Sequence, residues 1–87
     1  MHTVELLEEA LAAVERLGYR VRMEPLDAET GGVCEFAGRK WLFLDAAASA
    51  LDHLHAVLEV LRGDVYTDRL KLSAALRQLI THRQAAA

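Results

Sequence analysis

Four groups of residues have types and spacings that could do chemistry: the glycines Gly31, Gly32 and Gly38, the row Asp52, His55 and Glu59, the single cysteine Cys34, and the aromatics Trp41 and Phe43 beside Arg20 and Arg22. A phosphate cradle needs its glycines between a strand and a helix N-terminus, where backbone amides and the helix dipole meet the anion. Here the glycines precede one strand pattern and turn it into the next, and no Gly-Lys-Ser/Thr follows. They are read as backbone positions, and no cofactor is expected. Asp52, His55 and Glu59 lie at i, i+3 and i+7, one helical face that a metal could use. That face is opposite the stripe Leu51, Leu54, Leu58 and Leu61, so it reads as a solvated exterior and no metal ligand is assigned. His53 and His55 point in different directions, the His-Glu-x-x-His pattern is missing, and His82 sits near a helix C-terminus, where the dipole accounts for it.

Cys34 shares strand parity with Phe36 and is expected to face the core as a small hydrophobe. A reactive thiolate needs exposure and a nearby positive group, so a thiol-dependent enzyme or redox protein centred on Cys34, with a histidine close by, is the alternative rather than the leading reading. No catalytic residue is assigned. A lone cysteine also excludes an internal disulfide.

The aromatic group is the most informative. Residues 41–44 read Trp-Leu-Phe-Leu, so in a strand Trp41 and Phe43 point one way and Leu42 and Leu44 the other. One face can meet helices, and the other must be covered as well or it presents an aromatic patch to water. Either the last helix or the segment 65–72 folds across it, or it is a contact surface for a second copy of the chain or another protein. Arg20 and Arg22 would share that face, with a guanidinium able to stack on Trp41. The same grouping would suit weak stacking of a single-stranded nucleic acid.

These groups are positioned by a simple order of elements. Val4, Leu7, Leu11 and Val14 form the stripe of an amphipathic first helix, with Thr3 as its N-cap and Gly18 as its stop. The period then falls to two: Tyr19, Val21 and Met23 alternate with Arg20, Arg22 and Glu24 until Pro25. Leu26 to Gly32 reads as a loop, Val33 to Ala37 and Lys40 to Leu44 as a hairpin turned at Gly38-Arg39. Asp45 or Ser49 begins a second helix that ends at Gly63, with Ser49 and Asp52 resembling a capping box; Asp64 to Leu72 is a loop or short turn with Leu70 and Leu72 inward, and Ser73 caps a last helix carrying Leu76, Leu79 and Ile80. The predicted fold is α+β, in the order α-β-β-β-α-α, with a three-stranded antiparallel sheet covered by helices.

At 87 residues the chain holds one domain, assigned to 1–83, with 84–87 as an unanchored disordered tail. Ten basic residues stand against 13 acidic ones, divided as five against nine up to Asp45 and five against four after it. No basic stripe results, which argues against a nucleic-acid partner. The order of elements resembles that of double-stranded-RNA-binding domains, but the basic cluster such a domain needs at its final helix is replaced by Asp45-Ala-Ala-Ala-Ser-Ala-Leu-Asp52. The first residues are acidic and helical rather than basic and then apolar, and no run is long enough to span a bilayer. Neither signal peptide nor membrane partner is expected, and the location expected is cytoplasmic.

The stretch Gly31-Gly32-Val33-Cys34-Glu35-Phe36-Ala37-Gly38, followed by the apolar Trp41 to Leu44, resembles a signature of short uncharacterised bacterial proteins, Gly-Gly-x-Cys-x-x-x-Gly before an apolar strand and a Leu-rich helix. The likeness reaches upstream to Gly18-Tyr19-Arg20-Val21-Arg22 and fades after Gly63. It implies a bacterial, cytosolic, single-domain protein and carries no activity. The expectation is a non-enzymatic domain that forms a homodimer or binds another protein through the face of Trp41 and Phe43.

Overall fold

A computed structural model of the chain describes residues 2–25 and 32–82. Its elements are α1 (Thr3–Arg16), β1 (Tyr19–Glu24), β2 (Gly32–Phe36), β3 (Arg39–Asp45), α2 (Ala50–Gly63), a 3-10 turn at Thr67–Arg69, and α3 (Ala74–Thr81). The order α-β-β-β-α-α is as predicted. The expected tail at 84–87 and the expected loop at 26–32, apart from Gly32, lie outside the described residues, and β2 begins one residue earlier than expected, at Gly32.

The sheet is mixed rather than antiparallel. Its strand order is β1-β3-β2, with β1 parallel to β3 and β2 antiparallel to it. A hairpin is a local event, so β2 and β3 pair as the turn dictates. β1 and β2 are therefore not neighbours, and β3, apolar on both sides, lies between them. Strand periodicity cannot show this, because it reports which residues share a face and not which strand is central.

α1 presents Leu7, Ala10, Ala13 and Val14 to the core, and α2 presents Leu54, Val57, Leu58 and Leu61. Both lie on the same face of the sheet, over Leu42 and Leu44, which are 1% and 2% exposed. The stripes differ by a small rotation from those predicted. Val4 and Leu51 are exposed, while Val57 and His53 are buried. His2, not Thr3, is the residue before the first turn of α1, and Glu5 accepts its backbone N–H at 3.2 Å. Gly18 ends the helix at φ +99°, a conformation glycine adopts without a Cβ clash.

The last helix packs on the other helices. Leu76 is fully buried among them, and Leu70, Leu72, Leu79 and Ile80 pack at the margin. Glu9 on α1 accepts both the Ser73 backbone N–H (2.7 Å) and its hydroxyl (2.6 Å), while the same hydroxyl accepts from Leu76 N–H. At the far end Arg62 donates to the carbonyls of Leu79 (2.7 Å) and Ile80 (3.2 Å). Those bonds satisfy groups that a helix end leaves unpaired. Arg77 fixes the preceding segment through the Leu70 carbonyl at 2.6 Å. α3 is thereby committed to the helical layer, and neither it nor 65–72 covers the second face of β3.

Candidate functional site

With both long helices on one side, the opposite face of the sheet is open among the described residues. The register sets its composition. Arg20 lies beside Trp41 and Arg22 beside Phe43 on one flank, and Cys34 lies beside Trp41 and Phe36 beside Arg39 on the other. The rings of Trp41 and Phe43 stack, with centroids 6.0 Å apart and planes 16° from parallel. The Arg20 guanidinium sits 5.9 Å from the Trp41 centroid, within reach of a cation–π attraction. Arg22 pairs with Glu24 at 2.9 Å, in a pair that both side chains expose to water.

Between the β1 and β2 flanks runs a shallow groove of about 340 Å³, lined by Arg22, Cys34, Phe36, Trp41 and Phe43. Trp41 and Phe43 are half-buried and Phe36 is 71% exposed. The groove therefore combines three aromatic rings with guanidinium groups at its border, a composition that favours contact with another surface over contact with water.

Cys34 is exposed, which corrects the expectation that it faces the core. Its parity with Phe36 was read correctly, but both belong to the face of Trp41. Val33 and Glu35 point toward the helical side, and the helices stop short of β2, so all five of its residues are exposed. The groove lining contains no histidine, so the spatial condition for a Cys-His nucleophile is not met there.

The remaining histidines and acids lie elsewhere. Asp52, His55 and Glu59 are exposed on the outer side of α2, and among the described residues no three of His, Cys, Asp or Glu are grouped as metal ligands would be. His53 is buried, with Nε2 at 2.6 Å from the carbonyl oxygen of Asp45, so it donates an N–H that ties α2 to the end of β3. His82 follows the last turn of α3. No helix among the described residues is long and apolar enough to cross a membrane.

One cluster was missed in the sequence. Asp64, after α2, accepts from the Tyr19 hydroxyl at 3.4 Å and lies 3.7 Å from Lys40 Nζ, which itself sits 4.5 Å from the Tyr19 ring centroid. Burial, together with the negative charge of Asp64, pushes the Tyr19 phenol above its ordinary value. Tyr19 and Lys40 are register partners on the helical face, and Asp64 is distant in sequence, so only the pairing could have signalled it. The cluster pins the chain leaving α2 to the start of the sheet.

No protein-family model, no curated protein and no solved structure matches this chain.

Proposed function

We propose that this chain is a non-enzymatic interaction domain that self-associates through the open sheet face, with Trp41 and Phe43 as anchors and Arg20 and Arg22 at the rim. The observation that carries the reading is the stacked aromatic pair on a strand whose alternate residues form the core. Tryptophan and arginine dominate the energetics of protein interfaces, because a large ring or a planar cation desolvates well against a partner. A domain this small also has a limited core of its own, so burying a further aromatic patch is a substantial gain. The Gly31–Gly38 resemblance supports a bacterial, cytoplasmic setting, in which Cys34 is held as a thiol.

Light scattering over a range of concentrations from low micromolar upward tests the reading. The expected result is a mass rising from 9.6 kDa toward twice that value, with Trp41→Ala remaining monomeric and retaining its helical circular dichroism. A monomer at every concentration would remove the self-association reading.

The Arg20–Trp41 stack favours one second reading, a single-stranded nucleic acid laid on the same rings. It requires salt-sensitive oligonucleotide binding that Trp41→Ala abolishes, and no binding at low salt disposes of it. The exposure of Cys34 keeps a thiol-based reading in view. Rapid labelling of the native thiol at mildly acidic pH would favour it, and slow labelling there would not.

A further inference from the structure

We propose that two copies of this chain pair antiparallel along their β2 strands, about a two-fold axis through Cys34. The inference rests on the self-association reading and adds to it a backbone contact at the edge of the aromatic face.

The two edges of the sheet are built differently. β1 carries Arg20, Arg22 and Glu24 and is followed at once by Pro25, devices that keep an edge from pairing. β2 (Gly32–Phe36) has no lysine and no proline, and its unbroken register with β3 excludes a bulge. Among the described residues it is the unguarded edge.

The backbone of β2 also dictates which groups are free. Ala37 and Gly38, both at positive φ, form a two-residue turn that closes Phe36 against Arg39, the hydrogen-bonded pair of such a hairpin. Alternation then makes Cys34 with Trp41, and Gly32 with Phe43, hydrogen-bonded pairs as well. Val33 and Glu35 therefore turn their N–H and C=O groups outward.

A two-fold antiparallel pairing that uses those groups has three possible centres. Centred on Glu35, it sets two carboxylates opposite one another, which is destabilising. Centred on Val33, it places Glu35 opposite position 31, beyond the strand, and leaves a single pair. Centred on Cys34, it matches Val33 with Glu35 of the second copy twice over and uses all five residues. Each Glu35 keeps its own Lys40 as cross-strand neighbour and meets a valine, so no like charges oppose. The same centre lays Phe36 of the second copy beside Gly32, where no side chain competes, and Gly32 is the neighbour of Phe43. An aromatic set across a strand glycine is a recognised means of pinning register. The most exposed ring of one copy thus lies at the Phe43 border of the other copy's groove. A five-residue edge is a small contact compared with the roughly 800 Å² per partner of a standard interface, so the dimer is reversible and concentration-dependent.

Disulfide trapping of the full-length chain tests the register. Oxidised glutathione serves as the acceptor: two thiols lose two electrons and two protons, forming one protein disulfide and two molecules of reduced glutathione. In the native chain Cys34 faces Cys34 as a non-hydrogen-bonded pair with Cα atoms about 4.5 Å apart, inside the range a disulfide spans. In a Cys34→Ser background, a mixture of Val33→Cys and Glu35→Cys chains is expected to cross-link about tenfold or more faster than either variant alone, because like positions then lie beyond disulfide reach. Glu35→Pro, which removes an N–H unused by the β2–β3 ladder, is expected to weaken association about tenfold or more with circular dichroism unchanged. Equal rates for all cysteine pairs would overturn the edge register. If association nevertheless persists and Trp41→Ala abolishes it, the face reading survives while the edge inference fails. If the chain is monomeric throughout, both fall.

Discussion

Leu42 and Leu44 on one side of β3 are almost fully buried, whereas Trp41 and Phe43, one residue along in each case, remain half-buried on the other. The two sets have similar hydrophobicity, and they differ in what the rest of the chain places over them. α1 and α2 cover the leucines, and α3, which could have crossed the sheet, is held to the helical layer by Glu9, Ser73 and Arg62. Apolar residues in a strand therefore report a need for burial without saying who meets it. On the leucine side the chain does. On the aromatic side we assign that role to a second molecule.

Substitutions along β3 should separate the two sides most strongly. Leu42→Ala leaves a cavity in the core and is expected to cost about 2–5 kcal/mol, a large share of the roughly 4–13 kcal/mol that a domain this size possesses. Trp41→Ala should lower the stability of the monomer by only about 1–2 kcal/mol, in keeping with a half-buried ring, while abolishing association. Urea titration of both variants at a concentration that keeps the chain monomeric checks the contrast, and equal costs would erase the distinction between the faces.

Glu9→Ala removes two hydrogen bonds to a carboxylate that anchor α3, with an expected loss of about 1.5–3 kcal/mol. Hydrogen exchange should show α3 opening before α1 and α2. If α3 stays as protected as they are, its placement away from the aromatic face has another cause.

Two smaller effects probe the rims of the sheet. Ala37 occupies φ +55° in the hairpin turn, where a Cβ is strained, so Ala37→Gly or Ala37→Asn should stabilise by about 1 kcal/mol in thermal melts. At the other rim, the folded Tyr19 phenol titrates above the value it has when unfolded. Its contribution is complete below the unfolded pKa of 10.0 and is lost as pH rises through the higher folded value. Stability should decline more steeply above pH 10 in the native chain than in Tyr19→Phe, as followed by denaturant titration at several alkaline pH values.

Much of the fold was legible because its signals are local. The caps Ser49 and Ser73, the stops at Gly18 and Gly63, and the change from a helical to a strand period each depend on a few neighbouring residues. The centrality of β3 was not legible, since parallel pairing with β1 depends on the course of the intervening chain. Cys34 shows the same limit at the site. Its parity with Phe36 followed from strand alternation, but which parity faces the helices depends on the β2–β3 register relative to Leu42. Alternation separates Arg20 and Arg22 from Tyr19 and Val21, but their place beside Trp41 and Phe43 comes from a parallel register that the sequence does not fix. The Tyr19, Lys40 and Asp64 cluster lay beyond reach because it joins a strand pair to a residue after α2.

Trp41 is the chain's single tryptophan, so its fluorescence reports on the open face directly. Emission recorded as the concentration of the native chain rises should shift to shorter wavelength as Trp41 leaves water, in step with the doubling of mass seen by scattering. An emission maximum that stays constant from dilute to concentrated solution would contradict the assignment of this face as the contact surface.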